Sequence, residues 1–226
     1  MTERPTREWN GMTIPVPGVY ILDEAHKRIG FLAQHMMVSP VRGEFSSASA
    51  TIVVAEDPLQ TTVTATIRAA SLATGNTDRD AHLRSADFLD VERHPALEFR
   101  STGVKWQGGN DAIFAWARLR NNRLARRGPM VDLPEAATGQ SAGRFVVTGD
   151  LTIRDVTQQV DLQVDFGGAR RDPYGRDIFG FSASAEINRE SYGLLWNMML
   201  ETGGVLVGKK VRIEIGGEAI HRPAHS

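Results

Sequence analysis

Apolar and polar residues alternate one for one along several stretches of this chain, a period of two that gathers the apolar side chains on one face of an extended strand. Gln60 to Arg68 sets Val63, Ala65 and Ile67 against Thr62, Thr64 and Thr66. Thr157 to Phe166 sets Val160, Leu162, Val164 and Phe166 against Asp161, Gln163 and Asp165, and Lys210 to Ile220 sets Val211, Ile213 and Ile215 against Arg212 and Glu214. Near the start, Ile29, Phe31, Ala33, His35 and Met37 share a face. Strands with one dry and one wet face must cover their dry faces with one another, which points to an all-β barrel or sandwich. Further strands fit at Val19 to Asp23, Phe45 to Val54, Ala96 to Trp106, Asp111 to Leu119, Arg144 to Ile153 and Ile178 to Ile187, about ten in all. Glu56-Asp57-Pro58, Gly108-Gly109-Asn110 and Asp172-Pro173-Tyr174-Gly175 punctuate them as turns, and tight turns favour antiparallel neighbours.

The exception to the period of two is Thr77 to Val91. Thr77 with Asp80 three residues on has the form of a capping box, and Leu83, Ala86 and Phe88 follow at roughly helical spacing. A short helix capping or flanking the barrel is expected there. From Arg120 to Gly143 the periodicity disappears, and Arg118 to Arg144 holds six arginines against Asp132 and Glu135, a local formal charge of +4. This reads as a basic loop, either disordered or serving as a lid or membrane-surface contact.

No Pro/Gly/Ser-rich linker divides the 226 residues, so one domain is expected. A domain of this size removes roughly 70% of its unfolded surface from water and needs no staple to hold its core. The chain has no cysteine, which excludes a disulfide framework, thiolate catalysis and thiolate metal sites. With 26 basic and 27 acidic residues it lacks the overall positive field on which non-specific nucleic-acid binding relies. Met1 to Gly11 carries charge but no apolar signal-peptide core, and no run of about eighteen apolar residues occurs, so a cytoplasmic location without a transmembrane helix is the expectation.

A series of short blocks then runs in order through the chain: Gly18-Val19-Tyr20-Ile21-Leu22-Asp23, His26, Ile29-Gly30-Phe31, His35 and Gly43-Glu44-Phe45. Next come Arg79-Asp80-Ala81-His82-Leu83-Arg84-Ser85-Ala86-Asp87-Phe88, His94-Pro95, Phe99 and Ser101-Thr102. Gly149 to Thr157, Gly180-Phe181 and Ile187-Asn188-Arg189-Glu190-Ser191-Tyr192-Gly193-Leu194 complete the set. In these blocks the chain resembles the YceI-like family of polyisoprenoid-binding, lipocalin-like bacterial proteins, from about Pro17 to Ala219. It departs at Lys27, where a serine is usual, at Asp155, where a glycine is usual, and in the longer segment after Leu119.

The resemblance implies an all-β, extended, closed antiparallel barrel, lipocalin-like, of about eight long strands with one or two short flanking helices, a size that just holds a ligand. The barrel would span 17–220, with the basic loop 120–143 as an insertion, between an N-terminal tail 1–16 and a C-terminal tail 221–226. It implies non-catalytic binding, carriage or storage of a long-chain apolar lipid of polyisoprenoid, isoprenoid-quinone or fatty-amide type. The lipid is the expected partner, with no other cofactor and no metal. Transient membrane contact and a homodimer complete the expectation, the dimer on the resemblance alone.

Alternation together with the resemblance gives Phe31, His35, Met37, Phe45, Val63, Ile67, Phe99, Phe145, Val147, Leu162, Val164, Phe181, Ile213 and Ile215 as lipid-binding residues facing the interior. The same pattern also serves a barrel whose core is filled by its own side chains. An enzyme acting on an isoprenoid-like substrate would use His35 or His82 as general base. Arg79 and Asp80 suit either a lipid head group or the anchoring of their own helix, anchoring being favoured, and Arg189 carries the same two readings. Gly203 to Lys209 has the spacing of a phosphate loop, but Lys210 stands where Ser or Thr should hold magnesium and a strand follows where a helix should. No His-Glu-x-x-His or Gly-x-Ser-x-Gly motif occurs.

Overall fold

A strand that alternates dry and wet residues is stable only when its dry face meets another, and its backbone groups are satisfied only by neighbouring strands. The computed structural model describes residues 5–36, 39–109, 143–198 and 206–223. In chain order the strands are β1 (Thr6–Trp9), β2 (Met12–Pro15), β3 (Gly18–Leu22), β4 (Arg28–His35), β5 (Ser39–Phe45), β6 (Ala48–Val54) and β7 (Thr62–Arg68). They continue with β8 (Leu72–Ala73), β9 (Ala96–Gly109), β10 (Gly143–Ile153), β11 (Val156–Arg171), β12 (Asp177–Asn188) and β13 (Val207–Arg222), and the helix α1 is Thr77–Arg84.

Eight of these strands close on themselves in the order β3-β6-β7-β9-β10-β11-β12-β13, every neighbouring pair antiparallel, with β13 pairing back to β3. The expected closed eight-stranded barrel is what the chain forms. Closure leaves the ring without an edge strand. β13 is long enough to meet two partners on one side: Ala219–Arg222 pairs with β3, while residues from Val207 to Gly216 pair with β4. β4, β5 and β8 therefore extend the wall beyond the ring.

Turn chemistry fixes the register of the long hairpins. Between β11 and β12 the Asp172 carboxylate accepts from the backbone N–H groups of Tyr174 and Arg176, both at 2.9 Å, and Gly175 supplies the positive φ of 81°. Between β10 and β11 only Arg154 and Asp155 intervene, with Arg154 at a φ of 57°.

Three expectations change. Residues 6–15 are built into the barrel instead of hanging as a tail. Trp9 pairs with Met12 across Asn10-Gly11, whose φ angles of 47° and 74° are those of a two-residue hairpin loop. Met12 and Ile14 are buried against Tyr20, Phe166, Ala169 and Phe179, and Trp9 packs on Trp106 and Phe145 with ring centroids 5.2 and 6.0 Å away. At the other terminus β13 continues to Arg222, because His221 and Arg222 still pair with Tyr20 and Val19. The helix stops at Arg84, seven residues before Val91, and its N-cap is Asn76, whose Oδ1 accepts from the Arg79 N–H at 2.9 Å. Thr77 is thus the first helical residue, not the cap. The strand expected at Asp111 to Leu119, Met37 and the basic loop up to Ala142 lie outside the described residues, while β9 runs on as strand through Gly108-Gly109.

Candidate functional site

Two buried clusters sit at opposite ends of the barrel. One gathers Met12, Ile14, Tyr20, Phe166 and Phe179 under the β1–β2 hairpin. The other gathers Leu72, Leu89, Leu97, Ile153, Ile187, Tyr192 and Leu194 beside α1 and the 3-10 turn Arg189–Tyr192. Between them lies a cavity of about 350 Å³. Its walls run along β13 from Val207 and reach Phe179, which pairs with Ala219. Those twelve residue steps are about 40 Å of strand, or roughly 30 Å along the axis of a barrel with the usual tilt.

Two phenylalanine rings shape the walls, each lying over a glycine. A Cβ on Gly43 would stand 2.2 Å from Phe31 Cζ, and one on Gly149 would stand 2.4 Å from Phe99 Cζ, so no larger residue fits beneath either ring. Phe31 also packs at a tilt on Phe45, centroids 5.8 Å apart.

Twelve of the fourteen residues expected to face the interior line this cavity: Phe31, Phe45, Val63, Ile67, Phe99, Phe145, Val147, Leu162, Val164, Phe181, Ile213 and Ile215. Phe99 and Val147 are buried; the other ten are only half-buried. Inward-facing apolar side chains in a filled core would be sealed from solvent-sized probes, and these are not because they face open space. β7 makes the pattern plain: Val63, Ala65 and Ile67 are half-buried, while Thr62, Thr64, Thr66 and Arg68 outside are exposed. Met37 is outside the described residues. His35 sits at the end of β4, half-buried, paired with Val207 and Ser39, and is not among the lining residues, since the wall on β4 stops at Ala33.

The lining also includes residues that alternation missed. Ile14 and Pro15 come from the hairpin, Leu83, Phe88 and Leu89 from α1 and the turns after it, and Leu194 and Arg189 from the segment after β12. An Asn-Gly pair between Trp9 and Met12 is the strongest short hairpin signal there is, and it could have found Ile14. The sequence singles out Arg189 as either a head-group contact or an anchor, and it is among the lining residues.

Among the described residues, Ser49, Thr61 and Arg189 are the polar side chains in a lining otherwise apolar or glycine. Arg189 is 3% exposed, and burial lowers its pKa from the ordinary arginine value while the nearby Glu190 charge opposes that shift. Its Nε donates to Gly208 O at 3.0 Å, its Nη1 to Leu194 O and to Trp196 O, and its Nη2 to Val207 O at 3.4 Å.

The remaining candidates lie elsewhere. Arg79 and Asp80 anchor α1: Asp80 Oδ1 accepts from Thr74 N–H at 2.8 Å and from its hydroxyl, and Arg79 Nε donates to Thr74 Oγ1 at 2.7 Å. His82 is held edge-on against Trp196 and Phe88, with Nε2 3.0 Å from Asp87 Oδ2. At the β3–β4 corner His26 Nδ1 lies 2.8 Å from Asp23 Oδ2 and 3.8 Å from Glu218 Oε2. Hydrogen bonding to Asp23 and the charge of Glu218 raise the His26 pKa, and the same hydrogen bond holds Asp23 below the usual carboxylate value. Those three side chains have the donor atoms of a cation site, but Asp23 Oδ1 also accepts from Ala25 N–H, the arrangement of a corner latch outside the cavity. Residues 203–205 of the phosphate-loop-like segment lie outside the described residues, and Val207 onwards is strand β13.

Fold and interior together define the class: an antiparallel barrel closed around an elongated apolar cavity. The chain matches the YceI-like domain family over residues 20–219 and belongs to that family. It is 32% identical over 198 residues to a UPF0312 protein of Staphylococcus epidermidis, covering 87% of this chain and 94% of the relative. A UPF0312 protein of Staphylococcus aureus is 30% identical over 201 residues, 88% and 95% of the two chains. Among solved structures, Burkholderia cenocepacia BcnA matches with a TM-score of 0.62 at 19% identity, over 87% of this chain and 98% of that one. A polyisoprenoid-binding domain from Saccharophagus degradans, implicated in plant cell wall breakdown, matches with a TM-score of 0.56 at 13% identity, over 92% and 100%.

Proposed function

We propose that this protein binds and carries, or stores, a long-chain apolar lipid of polyisoprenoid, isoprenoid-quinone or fatty-amide type inside the barrel, without chemical change to it. The observation that carries the reading is the interior itself: an open cavity of about 350 Å³ whose inward-facing side chains are nearly all apolar. That volume lies in the range of ligand sites, roughly 300 to 1,000 Å³. An extended chain in such a space gains about 0.8 kcal/mol for each methylene removed from water, so length and dryness supply affinity without a dedicated set of polar contacts. A barrel filled by its own side chains would bury its inner faces fully, which Val63, Ala65 and Ile67 do not do. The described lining holds no histidine, carboxylate or lysine, which leaves acid–base catalysis there without a group to perform it.

The polyisoprenoid ligand of the Saccharophagus domain supports the choice of ligand class. No described helix is long and apolar enough to cross a membrane. Exchange of lipid at a membrane surface belongs to the same reading. Exposed Met36 and Met198, joined through Leu206 by backbone hydrogen bonds, and exposed Leu195 offer apolar contact beside the end where Arg189 lies.

Protein purified under non-denaturing conditions and extracted with organic solvent should yield a long-chain lipid near one per chain by mass spectrometry. Protein from several hosts that yields no such lipid, and that takes up no prenyl alcohol or quinone when these are supplied, would refute the carrier reading.

A further inference from the structure

Arg189 is a charge in an unusual position. It is 3% exposed, it lines the cavity, and it starts the 3-10 turn Arg189–Tyr192 that helps close one end of the barrel. Among the described residues its hydrogen-bond partners are the backbone carbonyls of Leu194, Trp196, Val207 and Gly208, and no carboxylate forms an ion pair with it. A guanidinium has five N–H donors, and four bonds leave one donor over. The Nη2 bond, at 3.4 Å, is also long. On the same turn the Tyr192 hydroxyl is buried and has no hydrogen-bond partner among the described residues.

Neutral carbonyls satisfy the donors of a buried cation without cancelling its charge. A charge so placed in a low-dielectric wall is costly, and the nearby Glu190 carboxylate, itself paired with Lys209 at 2.9 Å, offsets that cost only in part. The rest of the described lining offers nothing of the kind, since its other polar side chains are the hydroxyls of Ser49 and Thr61.

The geometry points to Arg189 as the head-group contact of the bound lipid, selecting chains that end in an anionic oxygen group, a carboxylate or a phosphate, with the apolar chain running away from it along β13. This rests on the carrier reading above. It goes beyond that reading by giving the cavity a polarity and the ligand an orientation. A charge-assisted bond from a guanidinium to an oxyanion is shorter and about twice as strong as a neutral one, and the donor left over on Arg189 can supply it.

Delipidated protein titrated calorimetrically with dodecanoate, dodecyl phosphate, dodecanol and methyl dodecanoate tests this, because the four share a chain and differ in the head. The expected result is that at least one anion binds at least about tenfold more tightly than the alcohol and the ester. The phosphate ranking above the carboxylate identifies a phosphate head, and the reverse a carboxylate. In Arg189→Gln the preference for the anion over the alcohol should vanish. Equal affinity for all four heads, or a preference that survives in folded Arg189→Gln, overturns the assignment and leaves the carrier reading standing. Failure of all four and of geranylgeraniol to bind overturns the carrier reading itself. Arg189 also holds four carbonyls, so if Arg189→Gln does not fold, the ranking on the wild-type protein alone decides.

Discussion

Filling the cavity from the middle of its wall separates an open interior from a packed core by the sign of one measurement. Ala65 lies on β7, half-buried, paired with Ala50 on one side and Phe99 on the other, and all three line the cavity. Replacing it with phenylalanine adds on the order of 100 Å³ of side chain, and at about 24 cal/mol per Å³ of cavity removed the empty protein should gain about 2 kcal/mol. The available 350 Å³ is ample for the ring. For a chain of this length that corresponds to a rise in melting temperature of about 4 to 8 °C. Scanning calorimetry on delipidated wild-type and Ala65→Phe protein reads the shift. Calorimetric titration with geranylgeraniol should show affinity falling at least about tenfold, since the ring occupies the volume of several methylenes. In a well-packed core the same substitution overpacks and costs roughly 1 to 3 kcal/mol. A lower melting temperature together with unchanged ligand affinity would refute the open-cavity argument.

The hairpin that closes the other end should be a measurable part of the structure: Met12→Ala, at a site 1% exposed, should cost about 2 to 5 kcal/mol in urea unfolding, and a loss under about 1 kcal/mol would mean the hairpin is dispensable. Gly11→Ala probes the same hairpin through backbone strain alone, because nothing lies within 4 Å of the added Cβ and φ is +74°; about 1 to 2 kcal/mol should be lost. The corner latch should make stability depend on pH in a defined window. His26 has a raised pKa, so its contribution is complete below the unfolded histidine value near 6.5 and disappears as pH climbs through the folded value; Asp23 has a lowered pKa, so its contribution is complete above about 3.9 and disappears as pH falls through its folded value. Melting temperature should therefore fall between pH 6 and 8, less steeply in His26→Gln, and parallel profiles for the two proteins would exclude the latch.

Much of the barrel could be read from a period of two, because a strand of a closed sheet has one wet and one dry face and the chain writes that difference residue by residue in β7, β11 and β13. The same alternation named twelve residues of the cavity wall, Phe31, Val63, Leu162, Val164 and Ile213 among them, since facing inwards is a property of a single strand. The N-terminal hairpin was equally local, announced by Asn10-Gly11, but its short strands were lost among charged neighbours. Other features belong to no single strand. Whether inward faces meet or stand apart depends on strand number and tilt around the ring, so only the closed barrel decided that Val63, Ala65 and Ile67 border open space. β13 could serve both β3 and β4 only because a kink at residues 23–27 places two strands end to end along it. Arg189 looked from the sequence as much like a helix anchor as a ligand contact. Its burial, its four carbonyl partners and its place in the cavity wall come from the connection after β12 and the start of β13 folding around it, and a charge acquires its meaning from what surrounds it in space.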